Sequence, residues 1–156
     1  MLRCELFRQK QQNIRVIFIA IYGFVAGFIA VPVFHQVLLS LLHAVQFAPF
    51  SAFDFHATHP LGVPVVFSFS FWGGVWGVIF AFTLPYFFSG KAYWINSIII
   101  SSLVLSAVAG FIVAPLKAQA IAWNWNIRII IVVLLINGAW GLGTALLYRL
   151  LQRSKA

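Results

Sequence analysis

The chain has very few charged residues, and acidic residues are the scarcest among them. Only Glu5 and Asp54 are acidic in 156 residues, and charged residues of both signs make up 8% of the sequence. Ion-coupled transporters place ionisable groups at membrane depth, and acid–base hydrolysis needs paired carboxylates, so both classes are disfavoured. The single cysteine, Cys4, excludes an internal disulfide and dithiol chemistry.

The motifs of common enzyme and cofactor sites are also missing. The sequence contains no H-E-x-x-H, no G-x-S-x-G and no phosphate-binding loop. The net charge is +8, but no aromatic-basic pattern typical of nucleic-acid binding accompanies it. We therefore expect no enzymatic activity, no cofactor and no nucleic-acid partner.

Apolar residues, by contrast, dominate the chain. They make up 63% of it, and the mean hydropathy is +1.01, which is far above the range of soluble domains. A helix needs roughly 20 apolar residues to cross a bilayer. Four stretches satisfy this, at about 14–34, 64–84, 93–115 and 128–148. The sequence predicts an all-α polytopic membrane protein, with residues 1–156 forming a single domain in the lipid bilayer.

Lysine and arginine are concentrated on one side of these spans, which predicts the orientation. The opposite side has only Lys117 and Arg128. We expect both termini in the cytoplasm and the 47–63 loop outside. We also expect the first span to remain as an uncleaved anchor, because its apolar run is longer than that of a signal peptide. The eight basic residues on the cytoplasmic side are Arg3, Arg8, Lys10, Arg15, Lys91, Arg149, Arg153 and Lys155.

One phrase of the sequence occurs twice. The residues VAGFI around Gly27 recur around Gly110, at an offset of 83, and a shorter echo, G-x-W-G, links Gly77 to Gly141 at an offset of 64. The echoes occur in the same order and in predicted helices of the same direction. They predict two tandem-repeated hairpins, at about 14–84 and 93–148, related by an axis along the membrane normal.

Every predicted span also carries small or polar residues at four-residue spacing. Helices in lipid associate through close backbone contact at such residues, so they predict either a tight four-helix bundle or a docking face for a partner protein. The residues are Gly23, Gly27, Gly73, Gly77, Ser102, Ser106, Gly110, Asn137, Gly141 and Ala145.

The segment after Pro32 has helical spacing and allows two interpretations. Residues 33–46 form either an amphipathic helix on the outer interface, which we expect, or an extension of the first span that bends at the proline.

The long loop that follows holds the best, though weak, candidates for metal ligands. Asp54, His56 and His59 form a D-x-H-x-x-H string, and such side chains can bind zinc. The string has no cysteine and no distant partner, so we expect ordinary solvated side chains and no metal.

Four aromatic residues lie near the middle of the predicted spans and need polar partners for their N–H and O–H groups. Nearby serines, together with Asn137, are expected to supply those partners, which would make the residues packing elements. The alternative is an aromatic-walled pocket for a quinone or a lipid. The residues are Tyr22, Trp72, Trp76 and Trp140.

The stretches VFHQ, APFSAF, PLGVP and SFWGGVWG together resemble a set of small four-helix bacterial inner-membrane proteins. The resemblance implies a location in the bacterial inner membrane and carries no activity. Because every span carries small or polar residues at four-residue spacing and the motifs of enzymes are absent, we expect a non-enzymatic accessory or stabilising subunit of a larger membrane complex. The alternative is a small-molecule module, either an uncoupled carrier or a quinone- or lipid-binding site.

Overall fold

Four long apolar helices make up most of the protein. The computed structural model describes residues 2–58 and 62–153, with the main chain alone at positions 2–4, 6 and 87. Four helices are long and apolar enough to cross a membrane, which confirms the predicted membrane class. We call them spans 1 to 4, and they are Phe7–Ala44, Val65–Tyr86, Gly90–Leu116 and Ile127–Arg153. Within the described residues there is no β-strand, only an isolated bridge between Ala57 and Pro64.

Spans 1 and 3 contain wider, π-helical turns. Three of these occur, at Val31–His35, Ser101–Leu105 and Ala109–Val113, and a short 3-10 segment, Ile121–Trp125, precedes span 4. The α-helical segments are Leu2–Ala30, Gln36–Ala44, Val65–Phe87, Gly90–Ile100, Ser106–Val108, Ala114–Leu116 and Ile127–Arg153.

The first π-helical turn explains how span 1 passes its proline. Pro32 has no N–H to donate, and its ring crowds the preceding turn. The helix accommodates the ring by widening over Val31–His35 and then continues as Gln36–Ala44. Residues 36–44 therefore continue the helix of span 1, and their location at the outer interface stays a prediction.

The spans pack in the order 2, 1, 4, 3. Span 1 contacts span 2 along much of its length, span 4 contacts both span 1 and span 3, and the contact between spans 2 and 3 is small. Only 22% of the most apolar stretch of span 3 is buried, against 56% for span 4. The main core cluster is Ala30, Val31, Phe80, Leu84, Tyr93, Trp140 and Ala145.

The two ends of the bundle differ. One end carries the N-terminal residues, the short connection between spans 2 and 3, and the last turns of span 4; we call it the terminal end. The other carries residues 45–64 and 117–126, and we call it the loop end.

Candidate functional site

Spans 1 and 2 cross in close contact at four glycines. Gly23 and Gly27 face Gly73 and Gly77, so each G-x-x-x-G pair lies on the other. A Cβ added to Gly27 would meet the carbonyl oxygen of Gly73 and lie 2.9 Å from the Cα of Gly77. The two backbones therefore touch directly, as small residues allow in lipid.

Trp140 of span 4 packs against both helices of this crossing. Its indole Nε1 donates a hydrogen bond of 2.9 Å to the carbonyl oxygen of Gly27, and its ring packs edge-to-face on Phe80 at 5.2 Å. The side chain is 1% exposed. Trp140 therefore has the polar partner that the sequence predicts for an aromatic residue in mid-membrane. The partner is the main-chain carbonyl of a glycine, however, and not the hydroxyl or amide side chain that we expected.

A polar seam joins spans 3 and 4. Ser102 donates to the carbonyl oxygen of Leu134 at 2.9 Å, and the Asn137 amide donates to the Ser106 hydroxyl at 3.0 Å. Both bonds tie one helix to the other, and such bonds contribute about 0.6 kcal/mol on average within membranes. Three predicted packing residues, Ser102, Ser106 and Asn137, therefore lie in one interface.

The other predicted packing residues of this hairpin are divided among different contacts. Gly141 lies against Ser101 of span 3, and the carbonyl oxygen of Ala145 accepts a bond of 3.3 Å from the Tyr93 hydroxyl. Gly110 faces no neighbouring span, since the ring of Trp123, from the connection, covers it. Gly27 and Gly110 thus match in sequence and differ in their neighbours.

The four residues of the predicted aromatic pocket do not form one lining. Trp140 belongs to the main core cluster and Trp76 packs against it, whereas Tyr22 packs against a separate cluster that includes Tyr148. Trp72 is 58% exposed beside Phe71.

The interior cavity between spans 2, 3 and 4 has a volume of about 10 Å³. Sites for drug-sized molecules occupy roughly 300–1,000 Å³. This cavity therefore has no room for a quinone or a lipid.

Polar bonds hold the long loop onto the loop end of the bundle. The Gln36 side chain, which is 2% exposed, accepts a bond of 2.8 Å from the Phe53 N–H. The Arg128 guanidinium donates to the carbonyl oxygen of Phe47 at 2.6 Å. The His43 ring nitrogen Nδ1 lies 3.1 Å from the carbonyl oxygen of Ala48. Gln36, which directly follows a π-helical turn, was not among the site residues predicted from the sequence.

The loop also caps the start of span 2. The first amides of a helix have no partner inside it, and here the Val65 and Val66 N–H groups donate to the carbonyl oxygens of His56 and Asp54, each at 3.0 Å. Loop and helix are thereby joined through main-chain bonds.

The predicted metal-ligand string uses its carboxylate within the loop. Asp54 accepts bonds from the His56 N–H at 2.8 Å and from its ring Nδ1 at 2.6 Å. These bonds, the main-chain one above all, lower the pKa of Asp54 below its ordinary value. His59 lies outside the described residues, and within those described no three potential ligands stand together.

The connection between spans 3 and 4 contains a left-handed turn. Residues 122–125 all have positive φ, between 45° and 57°, and none of them is glycine. This conformation costs about 1–2 kcal/mol per residue. It places the Trp123 ring on Gly110 and the Trp125 ring edge-to-face with Phe111 at 5.9 Å, so two tryptophans cover the loop end of span 3.

The arrangement as a whole is one of packing surfaces. The Ser102 hydroxyl, the Asn137 amide and the Trp140 indole each donate to another group of the protein, which is what helices in lipid require. Comparison of the chain with protein-family models, with curated proteins and with solved structures finds no match.

Proposed function

We propose that this protein is a non-enzymatic subunit of a larger membrane complex, which it packs against and stabilises. The observation that carries the proposal is the asymmetry of the bundle: span 3 packs mainly against span 4, and much of its remaining surface is apolar and exposed. Leu103 is 58% exposed, and Phe111 and Ile112 are 53% and 54% exposed. A partner helix at this face would give span 3 a second neighbour.

The closed interior supports this role over that of a small-molecule module. A carrier or a quinone site needs a cavity or a path, whereas the glycine crossing and the Trp140 side chain fill the centre of the bundle. A cavity of about 10 Å³ admits neither a quinone nor a lipid.

We place the protein in the bacterial inner membrane with both termini in the cytoplasm. An even number of spans brings both ends of the chain to the same side, and the sequence assigns eight of the ten lysines and arginines to that side. The Arg149 guanidinium lies 4.0 Å from the centre of the Tyr93 ring at this end, as in the cationic and aromatic belts of inner interfaces.

We further propose that the two hairpins are tandem copies. In both of them the second helix turns glycines toward the first, with Gly73 and Gly77 against span 1 and Gly141 against span 3. The different neighbours of Gly27 and Gly110 would then have arisen after duplication, when the shortened second connection placed Trp123 over Gly110.

Site-specific photo-crosslinking in native membranes tests the docking role. A photoreactive amino acid at Leu103 should give one adduct of defined mass, and the same adduct should persist after purification in mild detergent. The matched control is Ile79 of span 2, which is 44% exposed and should give no protein adduct. A protein that purifies as a lone monomer and yields no adduct at Leu103 would contradict the proposal.

A further inference from the structure

One buried hydroxyl group stands apart from the others in the helices. The side chains of Ser70, Thr83, Ser97 and Ser101 each donate to a carbonyl oxygen three or four residues earlier in their own helix, at 2.7–3.0 Å. The Thr144 hydroxyl makes no such bond and has no partner, although the residue is only 2% exposed. An unpaired hydroxyl inside a membrane bundle is unfavourable.

Thr144 lines the interior cavity between spans 2, 3 and 4. Two tyrosines line the same cavity, Tyr93 and Tyr148, and the rest of the wall is apolar. Its volume of about 10 Å³ is close to the lower limit for holding one water molecule, roughly 10–15 Å³. The cavity is therefore too small for an organic ligand and large enough for water.

The hydroxyl groups of the two tyrosines offer complementary bonds. The Tyr93 hydroxyl donates its proton to the carbonyl oxygen of Ala145, so its oxygen can still accept a bond. The Tyr148 oxygen accepts a bond of 3.0 Å from the Gln152 amide, and its own proton can still be donated. A buried water typically makes about three hydrogen bonds, and three of the residues that line this cavity carry a hydroxyl group.

We propose that the cavity is a binding site for a single water molecule, held by the Thr144 hydroxyl and bridged to the tyrosine hydroxyls of spans 3 and 4. The water satisfies the one buried side-chain oxygen that the described protein atoms leave unpaired. It also adds a polar link between spans 3 and 4 near the terminal end, beside the bond from the Tyr93 hydroxyl to Ala145 and the contact of the Arg149 guanidinium with the Tyr93 ring.

Paired substitutions at Thr144 test the site through thermal unfolding of the full chain in mild detergent. Thr144→Val keeps the shape and removes the hydroxyl, so it should lower Tm by about 2–4 °C, whereas Thr144→Ser should stay near wild type. The control, Thr83→Val, lies on an exposed surface and should shift Tm by no more than about 1–2 °C. If the cavity were dry, removing an unpaired hydroxyl would instead raise Tm, and that result would overturn the proposal.

A high-resolution structure of the wild-type protein decides the question even if the valine variant fails to fold. We expect density for one water within about 3.2 Å of Thr144 Oγ1. An empty cavity, or a Thr144 hydroxyl rotated onto a carbonyl of its own helix, would refute the water site.

Discussion

The glycine crossing of spans 1 and 2 makes a quantitative prediction for a single methyl group, in the variant Gly77→Ala. The new Cβ would meet the carbonyl oxygen of Gly23 and lie 2.9 Å from the Cα of Gly27. Carbon atoms in proteins rest at about 3.5–4.0 Å. Both obstacles are main-chain atoms, which cannot rotate aside, so the two helices must separate by roughly 1 Å.

The expected loss of unfolding free energy in Gly77→Ala follows from two opposing effects. Overpacking a well-filled interior costs about 1–3 kcal/mol, and we take the upper end because the obstacles are backbone atoms. Alanine returns up to about 1 kcal/mol through its higher helix propensity. The net loss of about 2 kcal/mol corresponds to a decrease in Tm of about 4–8 °C for a chain of this size.

The measurement is thermal unfolding in mild detergent, followed by tryptophan fluorescence. Gly138→Ala is the matched control, because this glycine also lies buried in a span, yet a Cβ there would be 3.4 Å from the Ile98 side chain, an ordinary contact. It should leave Tm unchanged or raise it. Equal shifts for the two variants, or a wild-type Tm for Gly77→Ala, would refute the backbone contact.

Three further predictions concern the hydrogen bonds. Trp140→Phe removes the indole donor to span 1 and should lower the unfolding free energy by about 1–2 kcal/mol, measured in the same assay. Gln36→Leu removes the acceptor of the Phe53 N–H and should accelerate proteolysis of the long loop. The pKa of Asp54 is lowered, so the bonds to His56 should persist above its ordinary pKa and be lost as the pH falls through the lowered value. The chain has a single aspartate, so one ¹³C carboxyl signal should report that titration.

Each of these has a control and a contrary outcome. Gln119 lies 83 residues after Gln36, which is the offset of the VAGFI repeat, and it is exposed. Gln119→Leu should therefore leave proteolysis of the loop unchanged, and equal cleavage of both variants would show that Gln36 does not anchor the loop. A Trp140→Phe variant as stable as wild type would show that the indole bond contributes nothing. An Asp54 pKa at its ordinary value would contradict the loop geometry.

The sequence predicts the spans well but not where their helices end. The sequence predicts the first span at about 14–34, whereas the helical segment extends from Leu2 to Ala44. Hydropathy reports only the apolar stretch, whereas a helix satisfies its own main-chain bonds and continues into polar sequence. Pro32 predicts an end or a bend of the helix, whereas the helix continues past the proline through a π-helical turn.

Small-residue spacing predicts which residues can pack closely but not what they pack against. Gly27 and Gly110 have the same neighbours in sequence, yet one meets a glycine pair of span 2 and the other a tryptophan ring. The ring reaches Gly110 because the backbone of residues 122–125 is left-handed, a conformation that Ala122, Trp123 and Trp125 do not favour and that no local sequence pattern predicts. The partner of a glycine is therefore a property of the whole bundle.

Composition alone determined that this chain is helical and made for a membrane, because apolar runs of this length cannot remain in water and lipid leaves helices as the structure that satisfies their amides. Tertiary structure alone decided the packing order of the spans and the carbonyl oxygen that accepts the hydrogen bond of Trp140. It also decided that the Thr144 hydroxyl has no hydrogen-bond partner among the described protein atoms. Those features depend on contacts between residues distant in sequence, and contacts within a uniformly apolar surface are selected by shape, which hydropathy does not encode.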